Sequence, residues 1–123
     1  MFGLPPNADF SFLIGMTLGD ISFAEHVLIL NFYGAAFTPR VSITIESAIS
    51  LRMPEGELHR WEDMRQGAGF LVALVSNTVS AAKGTTDGTM TIEFKEGGTL
   101  EIYDNSTRYE SYTIKHGDRL IVV

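Results

Sequence analysis

His59 is the side chain with the most obvious capacity for chemistry. Glu55 lies one helical turn before it, and Glu62 and Asp63 lie one turn after. Residues four apart share a helix face, so His59 and Asp63 could together ligate a metal ion. Two ligands do not close a site, and the chain has only 3 histidines in all. The plainer explanation is a solvated helix face with pairing between successive turns. A second cluster, Arg108-Tyr109-Glu110-Ser111-Tyr112, is the densest polar and aromatic run in the chain. Glu110 alternates with Tyr112 and Ile114, which in an extended strand places it inward beside Arg108. An inward carboxylate needs a partner, because an unpaired buried charge is costly. Glu110 either lines a pocket or is a paired strand residue that fixes register, and the second is preferred.

The remaining polar groups are explained by local structure. Asp87, Asp104 and Asp118 sit in turns next to Gly or Asn, where their side chains bond nearby backbone. They lack the regular spacing of a calcium loop. No G-x-S-x-G, H-E-x-x-H or Walker-type run occurs, and Gly67-Ala68-Gly69 is not followed by the Lys and Ser/Thr of a phosphate loop. No catalytic, cofactor-binding or metal-ligating residue is therefore assigned. No cofactor is implied, and an enzyme is the less favoured class.

Composition narrows the partners. The chain has 123 residues, which suits a single domain, and carries a net charge of −6. An acidic chain repels nucleic-acid backbones and anionic lipids. With no cysteine there is neither a disulfide framework nor a thiolate metal site, which fits a cytoplasmic location. No Lys or Arg precedes Arg40, so the apolar run Phe10–Leu18 lacks the basic flank of a secretory signal. It is also short of the roughly 20 apolar residues needed to span a bilayer. Its place is in the core, as a short helix feeding a strand or as a buried strand.

The elements that must position these residues are mainly strands. From Thr89 to Phe94 polar and apolar side chains alternate, putting Met90, Ile92 and Phe94 on one face and Thr89, Thr91 and Glu93 on the other. Gly97-Gly98 supplies a tight turn, and Leu100 and Ile102 continue the inward set. Tyr109–Lys115 is a third strand with Tyr112 and Ile114 inward, and Leu120–Val123 a short apolar fourth. Upstream, Gly19-Asp20 reads as a turn. Val27–Tyr33 is a strand whose second face (Val27, Ile29, Asn31, Tyr33) is too apolar for full exposure. Val41–Glu46 is another strand, expected to extend through Ile49 and Leu51 after a kink because these keep its odd-numbered phase. From Glu57 the period changes. Leu58, Trp61, Met64, Ala68, Leu71, Val72 and Val75 recur at three- and four-residue steps, a helical stripe weakened at Gly67-Ala68-Gly69, which predicts either two short helices or a loop followed by a helix over about Phe70–Val75. Asn77–Ala81 reads as a further strand.

The two halves are alike. Leu13–Leu18 aligns with Leu74–Val79, and Leu28, Leu30 and Phe32 fall on Met90, Ile92 and Phe94 after one inserted residue. A duplication over about 10–52 and 70–123 predicts two similar β-units related by a pseudo-two-fold, bridged by the Trp61 helix. Any two hairpins share an alternating pattern, so coincidence is the competing explanation.

The C-terminal ladder, written as Gly88-Thr89-Met90-Thr91-Ile92-Glu93-Phe94, Gly97-Gly98-Thr99-Leu100-Glu101-Ile102, Tyr109-Glu110-Ser111 and Ile121-Val122-Val123, resembles a group of small uncharacterised bacterial proteins. Some of these look like immunity proteins of toxin systems. The resemblance covers the last third of the chain and brings no catalytic residues with it. It implies a small cytosolic bacterial protein acting as an acidic inhibitor.

Together these readings predict a single α+β domain, mostly antiparallel sheet, with one central helical segment. The leading function is a non-enzymatic protein-binding module whose acidic surface occupies the cleft of a basic toxin. Nucleic acid and membrane are not expected partners. Glu93, Glu101 and Tyr103, on neighbouring strands, are the expected contact face, a solvated sheet face being the plain alternative. Two other functions stay open. One is a small-ligand or enzyme domain with a pocket at Arg108 and Glu110. The other is a structural role in which Leu120–Val123 pairs edge to edge in a homodimer.

Overall fold

A computed structural model describes residues 3–4, 8–36, 40–106 and 110–123. Its strands are Thr17–Ala24 (β1), Val27–Tyr33 (β2), Arg40–Ile45 (β3), Ile49–Arg52 (β4), Leu58–Trp61 (β5), Val79–Gly84 (β6), Met90–Phe94 (β7), Thr99–Ile102 (β8), Tyr112–His116 (β9) and Arg119–Val122 (β10). They form two antiparallel five-stranded sheets, ordered β1-β2-β3-β9-β10 and β5-β4-β8-β7-β6. The fold is thus mostly antiparallel sheet with one central helical segment, as the alternation predicts.

Period-2 alternation decides what each sheet buries. Met90, Ile92, Phe94, Leu100 and Ile102 on β7 and β8 are all buried. Facing them in the same apolar cluster are Leu28, Leu30 and Phe32 of β2 and Val41, Ile43 and Ile45 of β3. The phase carried from Ile45 to Ile49 and Leu51 is real, but the strands on either side of Glu46-Ser47-Ala48 belong to different sheets. Burying a side chain of this size stabilises by about 1.5–3 kcal/mol relative to exposure.

Each half traces the same course. A 3-10 turn at Ser11–Leu13 leads into β1-β2-β3 on the first sheet, and the chain then crosses to add β4-β5 to the second. A 3-10 helix at Ala68–Leu74 leads into β6-β7-β8 on the second sheet, and the chain then crosses to add β9-β10 to the first. The halves meet where β1 and β6 begin, with Thr17 bridging Thr78. There the Gly15 amide donates to the Val79 carbonyl (2.9 Å) and the Ser76 amide to the Leu18 carbonyl (2.7 Å). Leu18 donates to Asn77 (3.0 Å) and Val79 to Met16 (2.9 Å). A shift of 61 positions turns each bond of a pair into the other, since 15, 16 and 18 become 76, 77 and 79. The register slip between Leu18 and Asp20 in β1 likewise matches that between Val79 and Ala81 in β6.

Two expectations need correction. The apolar stripe beginning at Leu58 is not helical at its start. Leu58–Trp61 is β5, pairing antiparallel with β4 so that Ile49 faces Trp61 and Leu51 faces His59. Gly56, at φ +100°, permits the turn that brings β5 back. The helix starts only at Met64–Gly67 (α1), where the Asp63 side chain accepts from the Arg65 amide. It passes directly into the 3-10 helix at Ala68–Leu74. Gly67 lies against the Trp61 ring, leaving no room for a Cβ. The second correction concerns Gly19-Asp20, which is not a turn. It is a bulge inside β1, and the Tyr33 ring lies where a Cβ on Gly19 would be.

Gly15 and Ser76, matched positions at the junction, both have positive φ (87° and 76°), and Ser76 is the one such non-glycine among the described residues. A Cβ on Gly15 would meet nothing within 4 Å, so substitution there tests backbone conformation alone. Gly15→Ala should lower unfolding free energy by about 1–2 kcal/mol, and Ser76→Gly should raise it or leave it unchanged. Urea-denaturation midpoints of the two variants would check this.

Candidate interaction face

The contact face expected from sequence lies on the outer side of the second sheet. Because β4 pairs with both β5 and β8, a row of side chains runs Arg60, Ser50, Glu101, Thr91, Lys83 across the five strands. The next row carries Arg52, Thr99 and Glu93. Glu93 and Glu101 are therefore diagonal neighbours, close enough for long side chains to influence one another. Tyr103 follows Glu101 on the same face. Its hydroxyl is 2.8 Å from the Ser50 hydroxyl, and the Arg60 guanidinium lies 4.4 Å from its ring centroid. Ser50 is only 2% exposed although it belongs to the outer row. Arg60 on Tyr103 is a cation–π contact.

This face is mixed rather than purely acidic. Arg52, Arg60 and Lys83 stand among Glu93 and Glu101, and among the described residues no ion pair joins them. Sequence reasoning missed the arginines because Arg60 was placed on a helix and because β4 meets β8 only through long-range pairing. The strand parity of Ser50 and Arg52 was the available signal.

The other candidates are dispersed. Arg108 lies outside the described residues. Glu110 is exposed, not inward, because β9 begins only at Tyr112 and the buried position before it is taken by Ser111. His59, on β5, stacks on Phe70 with ring centroids 3.8 Å apart and places Nε2 2.9 Å from a Glu57 carboxylate oxygen. Asp63 is engaged by Arg65 through backbone and guanidinium, contacts that hold its carboxyl down at about 2. The helical face that would have joined His59 to Asp63 does not form. Among the described residues no group of three or more His, Asp or Glu could hold a metal ion.

Two of the turn aspartates do structural tasks. Asp87 accepts from the Thr85 hydroxyl and the Thr89 amide, and these bonds lower its pKa. Asp104 accepts from the Ser111 hydroxyl (2.6 Å) and the Gly3 amide (2.7 Å). Ser111, fully buried, also accepts from the Ser106 amide (3.1 Å), so the Ser111–Asp104 pair ties down the β8–β9 connection. Next to it the buried Tyr112 hydroxyl donates to the Gly88 carbonyl (2.7 Å). Burial first, then the nearby Asp104 and Asp87 charges, push the Tyr112 phenol upward.

No protein-family model, no curated protein and no solved structure matches the chain.

Burial, the largest single influence, would raise the Asp104 pKa, but the causes that lower it, the Ser111 and Gly3 donors first among them, together make the net shift downward. A carboxyl lowered on folding stabilises fully above its unfolded value of about 4 and loses that contribution as pH falls through the folded value. Asp104→Asn should therefore destabilise at pH 7, and the gap from wild type should narrow on acidification below about pH 4. Thermal unfolding followed across pH would check this.

Proposed function

We propose that the chain is a duplicated β-unit serving as a non-enzymatic protein-binding module of the immunity-inhibitor type. Its partner docks on the outer face of the second sheet. One observation carries this reading: Arg60 and Tyr103 are held in place before any partner arrives, the phenol by Ser50 and the guanidinium by the ring. Tyr and Arg are the side chains that most often dominate interface energy, and ordering them in advance removes part of the entropy cost of association. Around them Glu93, Glu101 and Lys83 supply charges that no ion pair engages among the described residues, and Arg52, which donates to the Gly56 carbonyl, supplies another. The matched halves place this face on a framework of backbone pairing rather than on loops.

The net charge of −6 favours a basic partner, such as a toxin, by speeding encounter. The Ser111 hydroxyl is buried and its contact with Asp104 is part-buried, which suits a structural role better than a catalytic one.

The test is affinity capture from an extract of the producing cells, comparing wild type with the double variant Glu93→Lys/Glu101→Lys. Wild type should retain a basic protein whose recovery falls as salt is raised. The double variant should retain at least tenfold less while melting at the same temperature. Equal capture by both, or capture insensitive to salt, would contradict the assignment.

A further inference from the structure

We propose that β10 is a self-pairing edge, at which a second copy of this chain adds its own β10 antiparallel. The inference goes beyond the face on the second sheet and rests on different residues. β10 ends the first sheet, and among the described residues no strand pairs with its outer side. Val123 and Tyr112 exchange backbone bonds (2.9 and 3.3 Å). Bonded and non-bonded pairs alternate in an antiparallel ladder, so Ile121 turns its backbone groups toward Ile114. Leu120 and Val122 turn theirs outward, away from β9. Their side chains are exposed as well, at 63% and 41%.

The matched half shows how such an edge is guarded. β5 is the equivalent edge of the second sheet, and Arg60 occupies the place that Val122 holds in β10. A charge on an edge strand discourages pairing; the one charge of β10, Arg119, stands at its start, and Leu120-Ile121-Val122 carries none. The segment Leu120-Ile121-Val122 is also self-complementary about Ile121. A two-fold axis there sets Leu120 opposite Val122 of the second copy, on the wet side of the sheet. Both residues then exchange their free backbone bonds, and Ile121 meets Ile121 of the second copy.

Interface size and charge set the strength of this contact. β10 spans 4 residues, far fewer than the roughly 20–30 residues per partner of a standard stable interface. The dimer should therefore be weak and concentration-dependent. Two copies each carrying −6 repel, so added salt should tighten this contact, the opposite of its effect on a basic partner.

Sedimentation equilibrium of the full chain from about 10 µM to 1 mM, at low and moderate salt, tests the proposal. Wild type should pass from monomer to dimer mass, at lower concentration when salt is added. Val122→Lys should weaken association at least tenfold without lowering the melting temperature. Because the chain has no cysteine, Ile121→Cys reads the register directly. The two residues form a non-bonded pair with Cα atoms about 4.5 Å apart, within disulfide range, so air oxidation should link two copies, whereas Leu58→Cys on β5 should not. A wild type that stays monomeric throughout would overturn the proposal. So would a dimer unaffected by Val122→Lys, or cross-linking through Leu58→Cys in place of Ile121→Cys.

Discussion

The four backbone hydrogen bonds that join Gly15–Leu18 to Ser76–Val79 are the constraint on which the rest of the structure depends. Without them the starts of β1 and β6 would each expose a row of unpaired amides and carbonyls. With them, the edge of one sheet satisfies the edge of the other, and the two sheets are held around one apolar cluster. The arrangement demands an abrupt change from 3-10 turn to strand in each half. Gly15 and Ser76 make that change at positive φ, a conformation that strains any residue with a Cβ. Crossing of the last hairpin of each half to the opposite sheet completes the interlock: β4-β5 lean on β8, and β9-β10 lean on β3.

The outer faces follow from the same alternation that builds the core. Once Met90, Ile92, Leu100 and Ile102 point inward, Thr91, Glu93 and Glu101 have no choice but to point out. Tyr103 then lies over Ser50, and Arg60 reaches it because β5 runs beside β4. The first sheet uses its outer face differently. Asn31 donates to Asp20 (2.6 Å) and accepts from Ser42 (2.6 Å), while the Tyr33 hydroxyl donates to Asp20 (2.9 Å). That network joins the polar positions of the second face of β2 to β1 and β3, and Val27 and Ile29 on the same face are half-buried.

What the sequence made legible was what is local. Strict alternation from Thr89 to Ile102 located β7 and β8 and their buried side chains, because a period of two has one physical meaning over that length. The paired runs Leu13–Leu18 and Leu74–Val79 are the segments that meet at the junction. Less legible was anything set by distant pairing. Leu58, Trp61 and Met64 fall three apart, and a strand turning into a helix produces that spacing as readily as a continuous helix does. Only the pairing of Ile49 with Trp61 separates the two. Glu110 misled for a related reason: parity counted back from Ile114 and Tyr112 holds only while the chain is extended, and at Ser111 it is not. The placement of Arg60 and Ser50 beside Tyr103 depends on β4 meeting β8 across half the chain, which no short-range pattern encodes.

Native-state amide hydrogen exchange tests the central claim most directly. If the junction holds the two sheets together, the N–H groups of Gly15, Leu18, Ser76 and Val79 should exchange as slowly as those in the middle of β2 and β7, and as a single group. Exchange of these amides at the rate of the open edge at Leu120 and Val122, or slow exchange in one half and fast exchange in the other, would contradict it.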